Sequence, residues 1–306
     1  MKSKVILIFA FPFISLFAFP EEKIRQTIEW NYKMRLESGH FKLYTGSPES
    51  VARTILEPYE NIYVTFYTDF RDTGMEIPER IKIYLFEEKK EYKDYMLSKG
   101  MARKNDSETF SHYSSYSGVA CFFQLGQSKE YLYQSVAHEI TRSLSISLFK
   151  SLYGGGVWTI ECIAYYMQMS MDWKKMRVIP GEIHQTKNSQ IVNVIKAMQR
   201  LKKIRPLRDL ISMGYSALND PTLQIQAFSL FHFLQEANDG KHKTGLHRYP
   251  TEICTGRGSG VEVFERYVGR ISELEPEYLE YIHKLKPKKE PHNKIKTKNL
   301  CFDCDV

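Results

Sequence analysis

Residues 137–147 read AHEITRSLSIS, and the rest of the chain is read outward from them. Val136, Ile140, Leu144 and Leu148 recur at every fourth position. That is the period of one helical face, so the spacing predicts a long helix over residues 129–150. His138 and Arg142 are also four apart and share a face one turn from each other. Glu139 sits beside them. A histidine, a carboxylate and a guanidinium gathered within two turns are either a chemical site or one solvated face of a helix.

The glycines 154–156 break this helix, and a second one is expected over Val157–Met171. Ile160, Ile163, Ala164 and Met167 form its apolar side, and it carries Glu161. In helix-borne zinc sites two histidines four apart project from one face, and the glutamate beside the first acts as general base. The segment 157-VWTIECIAYYMQ-168 resembles the W-x-x-E-G-x-A-x-Y pattern that follows the zinc helix in bacterial gluzincin (peptidase MA-like) metallopeptidases. Trp158, Glu161, Ala164 and Tyr166 match it; Cys162 stands where glycine is usual, and Tyr165 where glutamate is common. Gluzincins place their glutamate ligand 18 residues after the second histidine. Here eighteen residues lie between Arg142 and Glu161. The resemblance runs through GHFKLYTGSPESVARTILEPYENIY, PERIKIYLFEEKKEYKDYM, QIQAFSLFHFLQEANDGKHKTGLHRY and VFERYVGRISELEPEYLEYIHKL, covering roughly residues 39–285.

What the resemblance implies is a zinc peptidase, with His138 and Glu161 as ligands and Glu139 activating the bound water. Trp158, Tyr165 and Tyr116 would line a peptide cleft. The sequence departs from the pattern at Arg142, where the second zinc histidine would stand. A guanidinium stays protonated and has no lone pair for a metal. His138 and Glu161 alone are an incomplete set, since a catalytic zinc takes three protein ligands plus water. The expectation is therefore a site without a cofactor, with zinc only if another donor completes it. Arg142 would form a two-bonded salt bridge with Glu161 in place of the metal, with Glu139 as a second acceptor and a vestigial base. His112, His184 and His232 are the candidate replacement ligands, and spacing singles out none of them. His232, in LFHFLQ, reads as core.

The expected fold class is α+β: a small, mainly antiparallel sheet packed on helices, zincin-like, with a helical C-terminal half. Residues 1–18 read as a signal peptide, from Lys2, Lys4 and an apolar run over Val5–Phe19 that is short for a membrane span. Residues 19–38 read as a linker or helix, 39–180 as the gluzincin-like unit, 181–285 as a helical unit and 286–306 as a basic tail. No transmembrane helix is expected after cleavage, and the protein is expected to be exported.

The net charge is +7, with +2 in the leader and +4 in residues 284–306. Basic character is thus expected at the termini and not as a patch on the fold, with an anionic surface as the tail's partner and no nucleic acid. Five cysteines (121, 162, 254, 301 and 304) leave one over if the others pair. TGRGSG, residues 255–260, reads as a turn. The functional expectation is a pseudo-peptidase that binds a peptide or an envelope partner. The alternatives are an active, atypical zinc peptidase and a structural envelope protein.

Overall fold

A computed structural model describes residues 34–70, 80–98, 111–114, 119–123, 129–149, 156–172, 174–184, 190–214, 217, 220–254, 256 and 258–287. The leader, residues 288–306 with Cys301 and Cys304, and Tyr116 lie outside these residues. The α+β class holds. A five-stranded sheet has the order β1-β2-β3-β5-β4, from β1 (Met34–Glu37), β2 (Phe41–Thr45), β3 (Ile81–Phe86), β4 (Ser111–Ser114) and β5 (Val119–Phe123).

The sheet is mixed, which corrects the expectation of a mainly antiparallel one. β2, β3 and β5 run parallel, and only the outer pairs β1–β2 and β4–β5 are antiparallel. Connectivity explains this. α1 (Glu49–Phe70) joins β2 to β3, and α2 (Lys89–Ser98) follows β3. A helical crossover returns the chain in the same direction, whereas a short turn reverses it. One further strand differs from the sequence reading: β1 occupies residues expected as linker or helix. β4 is the short polar segment SHYS.

Alternation sorts the strand side chains onto two faces. Phe41 and Leu43 of β2, with Ile81, Ile83 and Leu85 of β3, face the main core. Tyr59, Ile62 and Phe66 of α1 and Val136, Ile140 and Leu144 of α3 (Lys129–Phe149) meet them there. On the other face Tyr84 and Phe86 pack against Tyr92 and Tyr95 of α2. α1 runs through Pro58 as one element of 22 residues. Ahead of it, the Ser47 hydroxyl donates to Glu87 at 2.6 Å.

The rest is helical: α4 (Val157–Met169), α5 (Ile191–Arg200), α6 (Leu207–Ile211), α7 (Pro221–Glu236), α8 (Lys243–Cys254), α9 (Gly260–Tyr267) and α10 (Ile271–Lys284), with a hairpin of β6 (Met171–Asp172) and β7 (Arg177–Val178) after α4. Asp220 caps α7 by accepting from the Thr222 N–H, and Pro221 fits the first helical position. The core is contiguous from Phe41 to Leu285, so the two units read from the sequence share one interior. Polar links reinforce this: Lys243 of α8 meets Asp69 of α1 at 2.9 Å, and Gln235 of α7 donates to the same carboxylate at 3.3 Å. Among the described residues no helix is long and apolar enough to cross a membrane.

Candidate functional site

α3 and α4 pack side by side, and α3 also rests on α1, β4 and β5. The Val136–Leu148 stripe of α3 is buried in the core. That orientation turns His138, Glu139 and Arg142 toward α4, which answers with Glu161, Tyr165 and Gln168. These three fall at i, i+4 and i+7 and so share one stripe of α4.

Four of the residues singled out from sequence converge here. Arg142 Nε lies 2.9 Å from Glu161 Oε1, and Arg142 Nη1 donates to Glu139 Oε2 at 3.1 Å. His138 Nε2 lies 3.4 Å from the other Glu161 oxygen. The guanidinium therefore meets both carboxylates, Glu161 and Glu139, the latter expected as a second acceptor. The reason is geometric: Glu139 is three residues from Arg142 on the same helix and reaches it from the side.

The Glu139 and Glu161 side chains are only 7% and 9% exposed, and Arg142 is 28% exposed. Burial alone would push the Glu161 carboxyl up. The hydrogen bond and charge of His138, together with the charge of Arg142, outweigh burial and hold it below its ordinary value. His138 is fixed from its second nitrogen, with Nδ1 3.1 Å from Gln168 Oε1. Its ring meets Tyr165 edge-on at 4.7 Å. The Tyr165 hydroxyl in turn donates to Gln224 of α7 at 2.7 Å. Gln168 and Gln224 were missed in the sequence reading. For Gln168 the signal was present, seven positions after Glu161 on the same stripe. For Gln224, on a distant helix, there was none.

Trp158 is corrected. It is fully buried, donates from Nε1 to the Tyr249 hydroxyl at 3.2 Å, and packs on Phe264. It belongs to the stripe of Glu161, but α8 and α9 cover that end of α4, so it lines core and no cleft. Tyr116, the other aromatic expected in the cleft, lies outside the described residues.

Two of the candidate replacement ligands have partners elsewhere. His184 Nε2 lies 2.8 Å from Glu182, and His232 Nδ1 lies 2.6 Å from the Tyr281 hydroxyl within the core. His112 is in β4, paired in register with Cys121. Cys162 is a free, buried thiol. Burial pushes the Cys162 thiol well up, which keeps it protonated and unreactive.

Among the described residues no group of three or more His, Cys, Asp or Glu side chains is arranged to hold a metal. The chemistry of the donor set gives the same answer at α3–α4. His138 and Glu161 are two donors, and a cationic guanidinium occupies the space between Glu161 and Glu139. Zinc does not fit these residues as they stand. What the arrangement does is balance buried charge and fasten the two helices together.

Compared with known proteins, the sequence matches no family model and no curated protein.

Proposed function

We propose that this protein is an exported pseudo-peptidase: a zincin-like fold of gluzincin type that binds a peptide or an envelope partner and does not hydrolyse it. The observation that carries the reading is the contact of Arg142 with both Glu139 and Glu161, while His138 approaches the second oxygen of Glu161. These are the positions at which the resemblance expects zinc ligands and a general base. The residue that departs from the pattern is the one that supplies positive charge to the carboxylates. Glu139, the expected base, accepts from a cation in place of a metal-bound water.

The test is zinc content, measured by elemental analysis on wild type and on Arg142→His. Wild type is expected to hold almost none. Arg142→His is expected to gain about one equivalent, because it supplies the third protein ligand that a catalytic site needs. One equivalent in wild type would overturn the proposal and make peptidase assays the next step. Failure of a folded Arg142→His protein to take up zinc would overturn the gluzincin reading of the site.

A further inference from the structure

Residues 200–209 read RLKKIRPLRD, five cations and one carboxylate in ten positions. The near-neutral total of the chain body, read as excluding a basic patch on the fold, conceals this concentration. The segment leaves α5 through a tight, well-bonded turn. Leu201, Lys202 and Lys203 donate their N–H groups to Ala197, Gln199 and Met198 at 2.9, 3.0 and 2.8 Å. Lys202 takes the left-handed conformation, φ 54°, that reverses the chain.

Beyond the turn the backbone is pinned. Gln226, fully buried in α7, accepts from the Arg205 N–H at 3.0 Å and donates to the Arg205 carbonyl at 2.7 Å. The Leu207 N–H donates to Glu275 at 2.7 Å. Ile204 turns inward against the core.

Held in this way, the tip cannot fold its own apolar side chain away. Leu201 is 65% exposed, more than any other large apolar side chain described. Around it Arg200, Lys202, Lys203 and Arg205 are all exposed. Arg208 faces Glu265 at 3.5 Å, and Arg205 lies within the field of Asp220. Among the described residues Arg200, Lys202 and Lys203 form no ion pair. A fixed turn with a leucine at its apex and uncompensated cations around it matches two layers of one surface: an apolar interior beneath anionic head groups.

We propose that this turn docks the protein on an anionic lipid bilayer, with Leu201 entering the interface and Arg200, Lys202 and Lys203 meeting the lipid phosphates. A nucleic acid or other polyanion would engage the cations but leave the leucine in water. The segment also has no aromatic side chain on which bases could stack. Each cation held at an anionic leaflet strengthens binding by roughly fivefold, and full burial of a leucine by roughly tenfold. Together they make a reversible anchor.

The test is co-sedimentation of the full chain with phosphatidylglycerol–phosphatidylcholine vesicles and with pure phosphatidylcholine. The variant Arg200→Gln/Lys202→Gln/Lys203→Gln is compared with Lys89→Gln/Lys90→Gln/Lys93→Gln on α2, which removes the same charge elsewhere and keeps both termini. The turn variant is expected to lose roughly 100-fold in partition onto the anionic vesicles, and the α2 variant far less. A second readout reports on the turn alone. Tryptophan introduced by Leu201→Trp is expected to blue-shift and to be quenched by brominated lipid on anionic vesicles only. Equal losses in the two charge variants, or an unshifted and unquenched tryptophan, would overturn the proposal. Loss of heparin binding with vesicle binding intact would overturn it in favour of a polyanion surface.

Discussion

Arg142 is the residue on which the site depends, because its removal strands two carboxylates that are almost wholly buried. Breaking a buried ion pair from one side costs about 3–5 kcal/mol. Arg142 is partly exposed, so Arg142→Ala is expected near the lower end, about 3 kcal/mol by urea denaturation. Adding Glu161→Gln should recover about 1 kcal/mol or more, since neighbouring mutations are not additive. A single-mutant loss below about 0.5 kcal/mol, the usual range for a surface change, would show the contact to be incidental.

His232 makes a separate prediction at this scale. Burial pulls its pKa down to about 4 from 6.5. The imidazole is neutral in the fold and charges first in the unfolded chain. Its contribution is therefore complete above pH 6.5 and is lost as pH falls toward 4. The loss is about 3 kcal/mol in full. His232→Phe should flatten the stability profile over that interval, measured by urea denaturation at several pH values. An unchanged slope would refute the buried neutral state. How legible single residues were in the sequence follows from the same physics. Helical spacing placed Arg142 one turn from His138 on α3, whereas its meeting with Glu161 on α4 was expected only from the resemblance to gluzincins. Trp158 was misplaced because spacing gives a stripe but not what covers each end of it.

At the scale of elements, α4 is clamped to α7 at both ends of the latter. Tyr165 donates to Gln224 near the start of α7, and Tyr166 donates to Glu236 at its end. The Gly181 N–H donates to the Tyr166 hydroxyl at 3.0 Å. Tyr166→Phe leaves these partners unmet and is expected to cost about 1–3 kcal/mol in thermal or urea unfolding. No loss would mean that water replaces the phenol. Gly245 shows how closely α8 approaches the end of α9: a Cβ there would fall 2.0 Å from the Tyr267 carbonyl oxygen. Gly245→Ala must push the two apart, at about 3 kcal/mol, the upper end for overpacking.

Helices were readable at this scale because a 3.6-residue period survives in side-chain polarity. The sheet was less so. Its parallel centre follows from crossover connections, which leave no mark in any one strand, and β4 is too short and polar to announce itself. Pro58 disrupts local bonding, but the buried face of α1 holds the helix on both sides of it.

At the scale of the molecule, one interior joins the sheet to the C-terminal helices. Unfolding is therefore expected as a single transition, with the fluorescence of Trp158 and the helical circular dichroism falling together in urea. Separate midpoints would mean that the helical half holds together without the sheet. The shared core was not readable from linear order, because it depends on long-range packing. The cations of residues 200–208 stand in the sequence, but not the fixed turn that sets Leu201 at their centre.

A cation that belongs to the polypeptide arrives with it. Because Arg142 supplies the positive charge between α3 and α4, these helices can close as soon as the chain is made, with no ion to be loaded first. Such a junction offers nothing for a chelator to strip. Melting in the presence of a strong chelator should match melting without it.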